Sequence, residues 1–84
     1  MIRILYFARL RERLGLSEER LSLPADIGTV AKLLDHLRAR KGIWAECLGE
    51  GELLMTAVNQ ELARPQTPLA DGDEVAFFPP VTGG

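Results

Sequence analysis

The sequence predicts an α+β roll: a mixed β-sheet with one main helix packed on one face. Three observations lead there. Short alternating apolar stretches open and close the chain, and a single amphipathic segment of helical period lies between them. With 84 residues there is room for one domain only. A single helix of this kind can cover one face of such a sheet, and the first and last strands are expected to be neighbours within it.

The opening strand is expected over Ile2 to Phe7. Side chains alternate across a strand, so Ile2, Ile4 and Tyr6 share one face while Arg3, Leu5 and Phe7 share the other. Arg3 marks the second face as the solvent side. A short helical turn follows, with Leu10 and Leu14 on one side and Gly15 placed to end it. Arg20-Leu21-Ser22-Leu23 then alternates as a second strand, which Pro24 stops.

The main helix is expected from about Val30 to Lys41. Thr29 suits the N-cap, where its hydroxyl can accept from an unpaired backbone N–H of the first turn. Val30, Leu33, Leu34 and Leu37 form one apolar stripe. Arg38, Arg40 and Lys41 fall in the last turn, where positive charge complements the helix dipole, and Gly42 can supply a left-handed cap. Ile43 to Leu48 reads as a further helical turn with Trp44 as a core or rim anchor. Leu53 to Val58 is a third strand, and Asn59-Gln60 turns into a short strand around Leu62 and Ala63. Pro65 and Pro68 bound an irregular stretch. Asp71-Gly72-Asp73 is a tight turn into the last strand, Glu74 to Phe78, and Pro79-Pro80 ends its pairing. The domain is therefore expected over residues 1–80, with 81–84 as a flexible tail.

Composition narrows the function. Hydrophobic residues make up 46% and charged residues 26%, enough for a folded core. No apolar run reaches the roughly 20 residues of a membrane helix, and charges at Arg3, Arg9, Arg11 and Glu12 argue against a signal peptide. With one cysteine, Cys47, there is neither a disulfide framework nor a paired-cysteine metal or redox site, and the expected compartment is the cytoplasm. Residues 1–45 carry nine bases and five acids, whereas residues 46–84 carry seven acids and Arg64 alone. The acidic second half repels nucleic-acid backbones and favours a basic protein partner. The helix dipole accounts for the basic cluster at Arg38–Lys41 without nucleic acid, since no second basic stripe or aromatic stacking platform accompanies it.

A self-sufficient active site is not evident. His36 lies beside the apolar helix stripe with no visible nucleophile to serve. Cys47 is flanked by Glu46 and Leu48, with no cationic neighbour to lower its pKa, and reads as a small core residue. One histidine and one cysteine do not make a metal cage. Asp71 and Asp73 are turn-formers around Gly72, and no phosphate-binding loop motif is present. Gly83-Gly84 is different. Glycine lacks a Cβ, so such a tail can thread a narrow channel in conformations barred to other residues. The α-carboxylate of Gly84 then becomes a candidate reacting group, once another enzyme's ATP has converted it to an acyl-adenylate. A second feature comes from parity. Phe78 shares a face with Glu74 and Ala76, opposite Val75 and Phe77, so Phe78 and Phe7 both point outward and form a candidate partner patch.

Three stretches, MIRILYFARLRE, AVNQELA and PLADGDEVAFFPPVTGG, together resemble the MoaD family of molybdopterin synthase small subunits. The resemblance covers essentially the whole chain, is most specific from Leu69 to Gly84 and is weakest between Ile43 and Leu53. It implies a β-grasp, ubiquitin-like fold and a sulfur carrier in molybdenum cofactor biosynthesis. In that family a ubiquitin-activating-like adenylyltransferase adenylates the terminal glycine, and a sulfur donor converts it to a thiocarboxylate. The loaded tail enters the large catalytic subunit, within an implied heterotetramer, and sulfur passes to cyclic pyranopterin monophosphate. By this resemblance Gly84 is the acyl carrier, Gly83 the spacer that lets it thread, and Phe7, Leu62 and Phe78 the apolar contacts with the large subunit. No bound cofactor, metal, membrane or nucleic acid is implied; ATP is used by the activating enzyme. Two alternatives stay open: a sulfur carrier of another pathway, such as the thiamine type, and a ubiquitin-like protein modifier. The run Phe77-Phe78-Pro79-Pro80 and the greater length argue against the thiamine type.

Overall fold

The computed structural model describes residues 1–49 and 54–80. Along the chain these form β1 (Ile2–Tyr6), α1 (Ala8–Leu14), β2 (Glu18–Leu21), α2 (Val30–Arg38), α3 (Ile43–Cys47), β3 (Met55–Val58), β4 (Glu61–Leu62) and β5 (Glu74–Phe78). The strands make one sheet in the order β2-β1-β5-β3-β4. β1 and β5 run parallel at its centre, as expected of the first and last strands, and the other three pairs are antiparallel. A parallel pair needs a long crossover, and α2 lies within the chain that supplies it.

Alternation decides which face is covered. Ile2, Ile4 and Tyr6 of β1 and Val75 and Phe77 of β5 are buried, and Val30, Leu33 and Leu37 of α2 are buried in the same core cluster. Leu10 of α1, Cys47 and Leu48 at the end of α3, and Ile27 and Leu69 from the connections complete it. Each fully buried side chain of this size contributes about 1.5–3 kcal/mol relative to exposure. Tyr6 and Phe77 are cross-strand partners and stack with ring centroids 6.2 Å apart, while Trp44 meets Tyr6 edge-on at 5.6 Å. Among the described residues, no helix is long and apolar enough to cross a membrane.

Local chemistry sets the ends of most elements. Gly15 closes α1 in the left-handed region (φ 69°), and its N–H donates to the Arg11 carbonyl. The Thr29 hydroxyl accepts from the Lys32 N–H at 3.3 Å, the expected cap of α2. Asn59 and Gln60 both have positive φ, 51° and 70°, the requirement of the tight turn that joins two twisted antiparallel strands. The Asn59 side chain accepts from the Glu74 N–H at 3.0 Å and donates to the Asp73 carboxylate at 3.0 Å, tying this turn to Asp71-Gly72-Asp73.

Several expected boundaries move, and β1 ends at Tyr6 rather than Phe7. β2 spans Glu18–Leu21 rather than Arg20–Leu23. Leu21 already faces Ile2, the first residue of β1, so Ser22 and Leu23 have no strand to pair with. α2 ends at Arg38, and its C-cap is Ala39 in right-handed conformation rather than Gly42. Gly42, with φ 60°, instead leads into α3. The basic cluster is therefore not a last-turn feature as a whole. Arg38 lies in that turn, its Nε donating to the Leu48 carbonyl. Arg40 lies beyond it, 2.8 Å from Glu19 of β2 and 4.4 Å above the Trp44 ring. Tertiary contact, more than the helix dipole, explains where these arginines sit. The strand expected from Leu53 begins at Met55; Leu53 itself lies outside the described residues.

Candidate functional site

The sheet face turned away from α2 carries the candidate site. Its side chains follow from register. Leu5 pairs with Ala76, Ala76 with Ala57 and Ala57 with Leu62, a row that crosses β1, β5, β3 and β4. Above it, Phe78 pairs with Met55, and Phe7 follows directly after β1. The two alanines make a low floor between larger apolar side chains. Phe7 is 44% exposed and Leu62 71%, while Phe78, Met55 and Leu5 are half-buried. Phe77, one residue from Phe78, is wholly buried. The parity expected for Phe7 and Phe78 holds, and the sheet order brings Phe7, Phe78 and Leu62 to one face.

A charged border lies below this apolar field. Arg3 donates from Nε to Glu18 at 2.8 Å and from Nη1 to Glu74 at 3.3 Å, joining β2, β1 and β5 across the same face. The hydrogen bond and charge of Arg3 hold the Glu18 carboxyl below its ordinary range, and Glu18 in turn raises the Arg3 guanidinium. Beneath the sheet, burial pushes the Tyr6 phenol well above its ordinary value, with the neighbouring Glu19 carboxylate adding to the effect.

Gly83 and Gly84, the expected threading and carrier residues, lie outside the described residues, as does the rest of the expected tail, 81–84. The described chain runs to Pro80, two residues past the end of β5. β5 therefore leads from the apolar face toward that terminus. His36 is exposed on α2, and Cys47 is buried in the core cluster. Among the described residues, no group of three or more histidine, cysteine or carboxylate side chains is placed to hold a metal ion.

Comparison with known proteins gives this geometry its context. The family model described as the ThiS family matches residues 4–84. The chain belongs to the ThiS family. Over all 84 residues it is 50% identical to the molybdopterin synthase sulfur carrier subunit of Escherichia coli (strain K12), covering 100% of both chains. The Haloferax volcanii small archaeal modifier protein 1 superposes with a TM-score of 0.76 at 30% identity, covering 95% of this chain and 97% of that one. A chain of the protein-protein complex of subunits 1 and 2 of molybdopterin-converting factor from Helicobacter pylori 26695 superposes with a TM-score of 0.67 at 26% identity, covering 99% of this chain and 97% of that one. The ubiquitin-like β-grasp fold and the membership of the sulfur carrier group expected from the sequence both hold.

Sequence reasoning alone did not assign Met55 or Ala57 to the face. Alternation places Leu5 and Ala76 outward, but only the β3–β5 register sets Met55 beside Phe78 and Ala57 beside Ala76.

Proposed function

We propose that this chain is the sulfur carrier subunit of a molybdopterin synthase. The Gly84 carboxylate attacks the α-phosphate of ATP in a ubiquitin-activating-like adenylyltransferase, releasing pyrophosphate and leaving an acyl-adenylate. Sulfide-level sulfur from a donor then attacks the acyl carbon and displaces AMP, so that the terminal carboxylate becomes a thiocarboxylate. The apolar face around Phe7, Leu62 and Phe78 docks on the large catalytic subunit, in a heterotetramer. Gly83 lets the loaded end thread to cyclic pyranopterin monophosphate, which receives the sulfur. In this reading the carrier needs no cofactor of its own, the activating enzyme uses the ATP, and the chain works in the cytoplasm.

The observation that carries this reading is the full-length 50% identity to a molybdopterin synthase sulfur carrier subunit. Two further observations support it. Among the described residues, a contiguous apolar sheet face lies open beside the strand that leads to the terminus, and such faces mark partner surfaces. The Helicobacter pylori relative is a complex of two molybdopterin-converting factor subunits. In a reconstituted reaction with the activating enzyme, a sulfur donor and the large subunit, deletion of Gly84 should abolish molybdopterin formation while leaving docking intact. Undiminished product from the truncated chain would overturn the reading. A second reading, a protein modifier joined through Gly84 to lysines, draws support from the likeness to the small archaeal modifier protein 1. It predicts covalent conjugates of this chain in its own cell.

A further inference from the structure

Four non-glycine residues among those described have left-handed backbone: Ala8, Lys41, Asn59 and Gln60. Asn59 and Gln60 form the β3–β4 turn, and Lys41 lies between α2 and α3. Ala8 is the one beside an exposed aromatic. Its φ is 54°, and the residue before it, Phe7, is extended at φ −120° and ψ 157°.

Two local rules are broken at this junction. Phe7 occupies the N-cap of α1, where serine, threonine, aspartate or asparagine would satisfy a free backbone N–H, and it makes no side-chain capping bond. The next position takes a conformation that favours glycine or asparagine, yet holds alanine. Burial of Phe7 itself does not repay its place at the cap, since it is 44% exposed. Conflicts of this kind, where local preference yields to something else, concentrate at functional sites.

The backbone shows what the strained step achieves. The Phe7 N–H donates to the Phe77 carbonyl at 3.2 Å, and the Phe7 carbonyl accepts from the Leu10 N–H at 3.1 Å. Phe7 is thus held on one side by β5 and on the other by the first turn of α1. Left-handed Ala8 lets the chain leave the sheet at once and bury Leu10, while Phe7 keeps its outward strand position.

We propose that Ala8 is a positioning residue, whose left-handed backbone presents Phe7 on the apolar face for the docking partner. This rests on the reading that Phe7 docks on the large subunit, and the experiment separates the two. Affinity of the full chain for the large subunit is measured by calorimetry for Ala8→Gly, Ala8→Asn and Ala8→Val, each with and without Phe7→Ala. The first two accept left-handed backbone and should stay within about threefold of the natural chain. Ala8→Val, β-branched and barred from that region, should lose about tenfold or more. In the Phe7→Ala background the same substitution should cost less than about twofold, the non-additivity expected of coupled residues.

An equal loss from Ala8→Val in both backgrounds, or no loss in either, overturns the proposal. No loss from Phe7→Ala alone overturns the docking reading, and the positioning role with it. Should Ala8→Val fail to fold, Ala8→Thr, which is also β-branched, is read in the same cycle with the same outcomes.

Discussion

Phe77 and Phe78 are adjacent, and alternation gives them opposite fates. Phe77 fills the core against Tyr6, so Phe77→Ala should cost about 3–5 kcal/mol of stability, read by chemical denaturation. Phe78 lies half-buried on the apolar face beside Met55. We expect Phe78→Arg to leave the fold intact and abolish association with the large subunit, because an unpaired charge in an interface costs roughly 2–5 kcal/mol. Unchanged co-elution of that variant would remove Phe78 from the docking surface. Tyr6 gives a third test, as the chain's one tyrosine. Its phenol is raised by burial and then by Glu19. The folded state therefore holds the proton more tightly than the unfolded state. This contribution to stability is full below the ordinary tyrosine value of about 10 and is lost as pH rises from there toward the folded value. Tyrosinate absorbance should appear only well above the ordinary value, coincident with unfolding, and Tyr6→Phe should flatten the alkaline decline in stability. Ordinary titration of the folded chain would contradict the buried environment described for this ring.

At the scale of elements, the signals that reside in a few neighbouring residues were readable in the sequence. Thr29 caps α2, Gly15 closes α1, and Asn59-Gln60 turns the chain between β3 and β4, each through a side chain or backbone preference acting over one turn. Signals that depend on a distant partner were not. β2 stops at Leu21 because β1 begins at Ile2, and no pattern within Arg20–Leu23 contains that fact. The end of α2 is likewise governed by Arg38 reaching Leu48 and Arg40 reaching Glu19 and Trp44, contacts that span elements. The β3–β4 turn offers a test. Gln60 sits at φ 70°, a conformation glycine adopts without strain. Gln60→Gly should leave the hairpin intact and raise stability by about 0.5–1 kcal/mol through relief of backbone strain. A fall in the unfolding midpoint would show that the glutamine side chain contributes more than its backbone costs. Thr29→Ala should lower stability by about 1 kcal/mol through loss of the cap.

At the scale of the molecule, the fold separates two tasks. Helices cover one face of the sheet and build the core; the other face keeps a contiguous apolar field beside the strand that leads to the terminus. Parity made Phe7 and Phe78 legible as outward residues, but only the strand order β2-β1-β5-β3-β4 brings Leu62 and Met55 to the same field. The carrier role is supported by the full-length 50% identity to a molybdopterin synthase sulfur carrier subunit, and the proposed reading assigns its chemistry to residues 83 and 84. The most direct test is the intact mass of the chain isolated from its own cell. The account predicts a species heavier by the exchange of one oxygen for sulfur, which returns to the unmodified mass on incubation with the large subunit and cyclic pyranopterin monophosphate. A ladder of conjugates to other proteins, or a terminus that never acquires sulfur while molybdopterin is made, would contradict it.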